Sequence, residues 1–390
     1  MRSEEPREIR VGRGPCTVRR GEEVRASIRI SVISTPLVLV CVLFLASCVA
    51  RPFLPPPETV SPSVLLPAVR GGIVDGRGRF REIYKAVLTA QCAKLPPGAS
   101  CDDGETLWKL SGEAPPTGKP VPSGPSPGGF RVVLVPGLLA ECVAEKSLLF
   151  GDAAKRLEEI GYKISYIQTR GRQGSAINAE LIRNALMAIP PGERLLFVTH
   201  SKGSVDALEA LVKYPALAER TAALVSVSGA INGSPVADVF TKLTLELAHR
   251  APLPTCLPGE GEEATDSLRR ETRLSWLAAH PLPKGVRFYS LAAFTSRENT
   301  SRILRPFYDL LARIEPINDS LVVSSDAIVP GSVLLGYPNA DHLAVAMPFT
   351  RDRTPLLAEL IDKNDYPRAA LLEAALRYVE EDLDQRCSAP

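Results

Sequence analysis

The chain has 390 residues, 45% of them hydrophobic, with 46 Lys and Arg against 44 Asp and Glu and a formal net charge of +2. That apolar fraction supplies a sizeable core and excludes wholesale disorder, while the length admits one large domain or two ordinary ones. The positive excess sits at the front, where residues 1–47 hold eight Arg and five Glu, and the balanced remainder gives no electrostatic ground for nucleic-acid binding.

Arg29 precedes an uncharged, mostly apolar run from Ile30 to Ser47. A cationic segment followed by an apolar stretch is the layout of an export signal. The run ends in Leu45-Ala46-Ser47-Cys48, which resembles the bacterial lipobox. The resemblance implies cleavage before Cys48 and attachment of diacylglycerol to its thiol, so residues 1–47 read as a lipoprotein signal peptide. The alternative is an uncleaved anchor, because 18 such residues nearly span a bilayer. Either reading puts the rest of the chain outside the cytoplasm with the basic flank inside. The expected location is therefore the bacterial cell envelope, on a membrane and facing the periplasm or exterior, with the membrane as a partner through an N-terminal lipid anchor.

Residues 48–70 carry Pro52, Pro55, Pro56, Pro57, Pro62 and Pro67 and read as an extended tether. Residues 71–129 read as a small N-terminal helical element and a linker. Phe80, Ile83, Tyr84, Val87 and Leu88 fall at helical spacing, and 113–129 is rich in Pro and Gly. None of the eight Cys forms a CxxC or a zinc-finger spacing. Cys92 and Cys101 are close enough to close a small disulfide loop in an oxidising compartment; two unpaired thiols are the alternative.

From Phe130 the pattern changes. Apolar runs at 131–135, 194–199, 222–228 and 286–293, with a further candidate at 163–168, alternate with helical periodicity at 145–160, 175–188 and 203–213. This alternation predicts an α/β fold, a mostly parallel sheet covered by helices on both faces. Ligands of such sheets bind beyond the carboxyl ends of the strands, which makes the residues after each strand the ones that matter.

After the run 194–199 comes His200-Ser201-Lys202-Gly203 and then a helix. This strand–turn–helix context resembles the nucleophile elbow of the α/β-hydrolases, with Thr199 in place of the first Gly of GxSxG. Ser201 is then the nucleophile. It needs a base, and of His200, His249, His280 and His342 the fold's chain order of Ser, acid, His leaves His342, in Asn339-Ala340-Asp341-His342. Asn318-Asp319-Ser320-Leu321-Val322 resembles the segment around the acid of many lipases and nominates Asp319, with Asp326 as the competitor. Asp341, adjacent to His342, is not expected to reach round to it. The oxyanion hole is expected from the N–H groups of Lys202 and Leu138; Pro136-Gly137-Leu138 resembles the His-Gly-x of lipases with Pro136 in place of His. The Lys202 side chain is expected to be solvated at the helix start. Ser228 to Asp238, with Gly233-Ser234-Pro235-Val236-Ala237-Asp238, also resembles a loop of bacterial triacylglycerol lipases.

The resemblance covers about 130–350 and implies an α/β-hydrolase domain over 130–390 with a cap insertion at about 236–285. It implies a serine hydrolase that cleaves carboxylic esters through a Ser201-Asp319-His342 triad and an acyl-enzyme. The implied partner is a hydrophobic ester or lipid-like substrate. The same triad serves thioesterases and amidases, and the altered Thr199 and Pro136 positions also fit a non-catalytic envelope lipoprotein on a hydrolase fold. The pattern contains neither a metal-ligand cluster nor a phosphate-binding Gly-rich loop, so no cofactor and no metal are expected.

Overall fold

A computed structural model describes residues 72–95, 98–126, 128–138, 149–239, 262–349 and 355–388. The expected signal peptide, the expected tether and Cys48 lie outside them, as does much of the expected cap. The strands are β1 (Val74–Asp75), β2 (Leu107–Trp108), β3 (Phe130–Val135), β4 (Lys163–Tyr166), β5 (Arg194–His200), β6 (Thr221–Val227), β7 (Arg287–Leu291) and β8 (Val333–Pro338). They form one sheet in the order β1-β8-β7-β6-β5-β3-β4, with β2 antiparallel on β8 and every other pairing parallel.

The central strands are apolar on both faces because both faces are covered. Val132 and Leu134 of β3 and Leu196 and Val198 of β5 point into one core; Val133 and Val135, Leu195 and Phe197 point into the other. Helices α1 (Arg77–Gln91), α2 (Gly151–Glu159) and α11 (Arg368–Ser388) cover the first face, through Phe80, Ile83, Leu157, Leu371 and Leu376 among others. Helices α3 (Ser175–Met187) and α4 (Lys202–Lys213) cover the second, through Ile182, Leu186, Leu208 and Leu211. The intervening short helices are α5 (Pro215–Arg220), α6 (Pro235–Val239), α7 (Glu262–Asp266), α8 (Arg270–Ala279), α9 (Arg305–Leu311) and α10 (Pro355–Leu360). Among the described residues, no helix is long and apolar enough to cross a membrane.

Local signals set the ends of these elements. Helix α2 stops at Gly161, whose φ of 102° suits a residue without Cβ. The N–H of Gly161 bonds to the Glu158 carbonyl and that of Tyr162 to Leu157, the paired bonds that satisfy a helix C-terminus.

The described residues of 72–126 pack against the sheet. Strands β1 and β2 both pair with β8, and α1 buries Phe80, Ile83, Tyr84 and Leu88 in the core it shares with α11. The Pro-rich stretch is pinned because prolines keep their carbonyls as acceptors. Arg79 donates to the carbonyls of Lys119 and Pro120, and Arg377 to those of Pro122 and Gly124. Cys92 and Cys101 are joined by a disulfide that ties the end of α1 to the turn before β2.

The strand order positions the site. From β3 the chain moves outward to β4, then crosses back to β5 on the other side of β3 and continues to β6, β7 and β8. Connections leaving β3 and β5 in opposite directions open a crevice at the carboxyl ends of those two strands.

Candidate active site

Ser201 follows β5 directly and opens α4 with φ 54° and ψ −128°. Backbone in that region is strained for a residue with a Cβ and persists only where its surroundings enforce it. Here the enforcement is tight packing by glycines. A Cβ on Gly203 would lie 2.4 Å from both the Val135 and Pro136 carbonyl oxygens, and one on Gly137 would lie 2.7 Å from the Ser201 Cβ. The start of α4 is thus pressed against the end of β3.

Thr199 is tolerated in place of Gly because its side chain has partners. It is fully buried, and its Oγ1 lies 2.8 Å from Ser204 Oγ and 3.3 Å from the Val225 carbonyl, while Ser226 donates to Ser204. Room for these hydroxyls comes from Gly229, where a Cβ would fall 2.2 Å from Ser226 Oγ.

His342 and Asp319 meet Ser201 at this rim. His342 Nε2 lies 2.8 Å from Ser201 Oγ, and His342 Nδ1 lies 2.8 Å from Asp319 Oδ2. His342 and Asp319 are 2% and 1% exposed. An ionised carboxylate only accepts, so Nδ1 carries the proton, Nε2 is the acceptor, and the Ser201 hydroxyl donates. The other oxygen of Asp319 accepts from the Leu321 and Val322 N–H groups at 3.0 and 2.7 Å, and its carbonyl accepts from the His342 N–H at 2.8 Å. The turn that permits this has Ser320 at φ 84°, with its N–H held by the Asn318 side-chain oxygen.

Asp326, the competing acid, is engaged elsewhere. It faces Arg270 of α8 at 3.3 Å and Asn232 in the loop after β6. Burial pushes its carboxyl above the ordinary range, against the pull of Arg270. Asp341 does not turn toward the imidazole. It accepts from the N–H groups of Leu343, Ala344 and Ser301, and so shapes the loop that carries His342. His200 packs inward, its Nε2 donating to the His342 carbonyl at 2.9 Å and its ring centroid 4.7 Å from that of His342. Burial, then the neighbouring His342, holds its pKa well below the ordinary value, so it stays neutral.

Lys202 requires a correction. Its side chain is wholly buried and donates to both oxygens of Asp206 at 2.7 and 3.0 Å. Asn178 of α3 adds a third bond to Asp206 at 2.8 Å. A cation at a helix start would be solvated if no partner were within reach; Asp206, one turn on, removes that need. The (i, i+4) spacing of opposite charges was the sequence signal for this pair. The Lys202 N–H belongs to the first turn of α4, whose amides have no intrahelical acceptor. Leu138 follows Gly137, which packs against Ser201, and is 42% exposed. Asp206 and Asn178 have no assigned role in the sequence, because their contacts are set by the packing of α3 against α4.

Of the expected cap, the described part is α6 and the segment 262–285. It docks on the loop after β6: a Cβ on Gly233 would lie 2.7 Å from the Arg270 backbone, and the Ser234 N–H donates to the Leu268 carbonyl at 2.8 Å. Two small surface hollows of about 260 and 270 Å³ lie around Pro215, at the far end of α4 from Ser201, and take no part in this site.

The chain is 59% identical to a metagenomic carboxyl esterase of known crystal structure, with a TM-score of 0.78, over 83% of this chain and 98% of that one. It belongs to the carboxyl esterase family of the α/β-hydrolase fold. A Bacillus licheniformis lipase in its mature form shares 19% identity over 66% of this chain and 95% of that chain, with a TM-score of 0.47. EstA of Clostridium botulinum shares 12% over 75% and 98%, also with a TM-score of 0.47. No protein-family model matches the chain, and no curated protein matches it.

Proposed function

We propose that this hydrolase cleaves carboxylic esters through an acyl-enzyme formed on Ser201. The observation that carries the reading is the unbroken chain from Ser201 Oγ through His342 to Asp319, each link 2.8 Å long. Ser201 Oγ attacks the ester carbonyl carbon while its proton passes to His342 Nε2. The C–O bond to the alcohol then breaks, and His342 returns the proton to the leaving alkoxide. Water attacks the acyl-enzyme by the same route, giving the carboxylic acid and free Ser201. Asp319 keeps Nδ1 protonated and stabilises the imidazolium. The N–H groups of Lys202 and Leu138 receive the developing oxyanion, each worth about 3 kcal/mol of transition-state stabilisation. The family relationship supports the ester as the bond cleaved, and the exposed Leu138 after Gly137 supports a hydrophobic acyl or alcohol group.

The test is turnover of matched p-nitrophenyl ester, thioester and anilide substrates over a graded acyl series. We expect the ester to lead and kcat/KM to rise from acetyl to a medium chain. A thioester or amide preferred over the ester would overturn the reading.

The second part of the proposal is that Cys48 carries a lipid that holds the enzyme on a bacterial envelope membrane. The lipobox-like Leu45–Cys48 and the Cys92–Cys101 disulfide, which suits an oxidising compartment, support it. Labelled palmitate should enter the wild-type chain and not Cys48→Ala; equal incorporation would dismiss the anchor.

A further inference from the structure

The residue after the nucleophile spends its side chain on a buried ion pair that touches neither Ser201 nor His342. Lys202 and Asp206 are 0% and 1% exposed, one turn apart at the start of α4. Asp206 Oδ2 also accepts from Asn178 Nδ2 at 2.8 Å. Asn178 in turn clamps the backbone of Arg170, in the loop after β4, with its Oδ1 taking the Arg170 N–H at 2.9 Å and its Nδ2 donating to the Arg170 carbonyl at 3.0 Å. A continuous polar strut thus runs from the loop after β4, through α3, to the residue that follows Ser201.

Burying two charges is an inefficient route to stability, because well-packed apolar residues of similar volume do as well or better. The pair sits where the backbone most needs to be fixed. Ser201 is held at φ 54° by the Gly203 contact with Val135 and Pro136, by its own N–H on the Val227 carbonyl and by the Ala230 N–H on its carbonyl. The Lys202–Asp206–Asn178 strut adds a side-chain restraint from the α3 side.

From this geometry we infer that the Lys202 and Asp206 side chains are positioning residues that aim the Lys202 N–H at the oxyanion and hold the Ser201 turn, with Asn178 carrying the restraint to the loop after β4. The inference rests on the acyl-transfer reading above. A misplacement of about 1 Å in such a site costs about 10²-fold in rate. The loss falls on kcat, because donors aimed at the transition state contribute little to ground-state binding.

The experiment uses the double variant Lys202→Met with Asp206→Leu, which replaces both charges by apolar groups of similar bulk. Steady-state kinetics on p-nitrophenyl butyrate and the thermal midpoint are measured together. We expect a midpoint within a few degrees of wild type, a kcat lowered about 10²-fold and a KM within about threefold. A folded double variant with wild-type kcat, or one whose loss lies in KM, overturns the inference. If the double variant does not fold, Asp206→Asn keeps the shape and one acceptor for Lys202 while removing the charge. A fall in kcat of about tenfold is then expected, and unchanged kcat overturns the inference. Labelling with a fluorophosphonate separates the two levels. Ser201→Ala that still labels refutes the acyl-transfer reading itself, whereas labelling confined to Ser201 with an unimpaired double variant refutes only the positioning role.

Discussion

Replacing Asp319 by Asn should disable the site while leaving the fold intact. The two oxygens of Asp319 have unequal surroundings. Oδ1 accepts from two backbone amides, those of Leu321 and Val322, and Oδ2 faces His342 Nδ1. An asparagine has one acceptor and one donor end. The two amides claim the acceptor end, so the NH₂ must face the imidazole. His342 Nδ1 then becomes an acceptor, the ring proton moves to Nε2, and Nε2 loses the lone pair that takes the Ser201 proton. A wrong-tautomer substitution of this kind lowers kcat by roughly 10⁴-fold, which is about 5 kcal/mol of barrier. The backbone bonds of the turn survive, so the thermal midpoint should move by only a few degrees. The assay is kcat on p-nitrophenyl butyrate beside Asp326→Asn, whose carboxylate contacts Arg270 and Asn232 and not the imidazole. Near-normal turnover in Asp319→Asn, with collapse in Asp326→Asn, would refute this reasoning and move the acid to the second position.

Other consequences follow from the packing. Gly203→Ala places a Cβ 2.4 Å from two carbonyl oxygens; the forced shift of β3 or α4 should cost about 1–3 kcal/mol in denaturant unfolding and most of the activity, and a fully active variant would contradict the elbow packing. Lys202→Met alone leaves Asp206 buried without its cation, so it should destabilise by about 3–5 kcal/mol, with Asp206→Leu in the same chain recovering most of that by urea unfolding. Glu82 gives a pH signature. Burial raises its pKa, but bonds from Thr117, Gly118 and Arg79 outweigh burial and bring it down to about 2. Its unfolded value is near 4.5, so the stabilisation is complete above pH 4.5 and is lost as pH falls toward 2. Glu82→Gln should therefore lower the thermal midpoint at pH 6 and match wild type near pH 2; a midpoint gap that persists at pH 2 would deny the ionic origin.

How much of this was legible in the sequence depends on the range of the forces involved. The central strands could be read because burial on both faces leaves uninterrupted apolar runs such as Val132–Val135 and Leu195–Val198. The placement of Ser201 could be read because a strand, a sharp turn and a helix succeed one another locally. Strands β1 and β2 could not, since two residues each show no periodicity and β8 alone gives them their pairing. The docking of 113–126 was equally hidden, because its carbonyls take their donors from Arg79, 40 residues before Lys119, and from Arg377, 255 residues after Pro122. Lys202 is expected to be solvated because a helix start is ordinarily wet; its burial depends on Asp206 one turn on, which Asn178 of another helix also holds. The Asn318–Val322 segment favours Asp319 over Asp326 in the sequence, and the loop after β8 brings His342 to Asp319 in the fold.

The central claim is tested most directly by trapping the covalent intermediate. Purified protein is incubated with a fluorophosphonate, digested, and the modified residue identified by mass spectrometry. A single adduct on Ser201 is expected, formed at a rate that falls with the loss of His342 and absent from Ser201→Ala. An adduct on another residue, or stoichiometric labelling of Ser201→Ala, would contradict it.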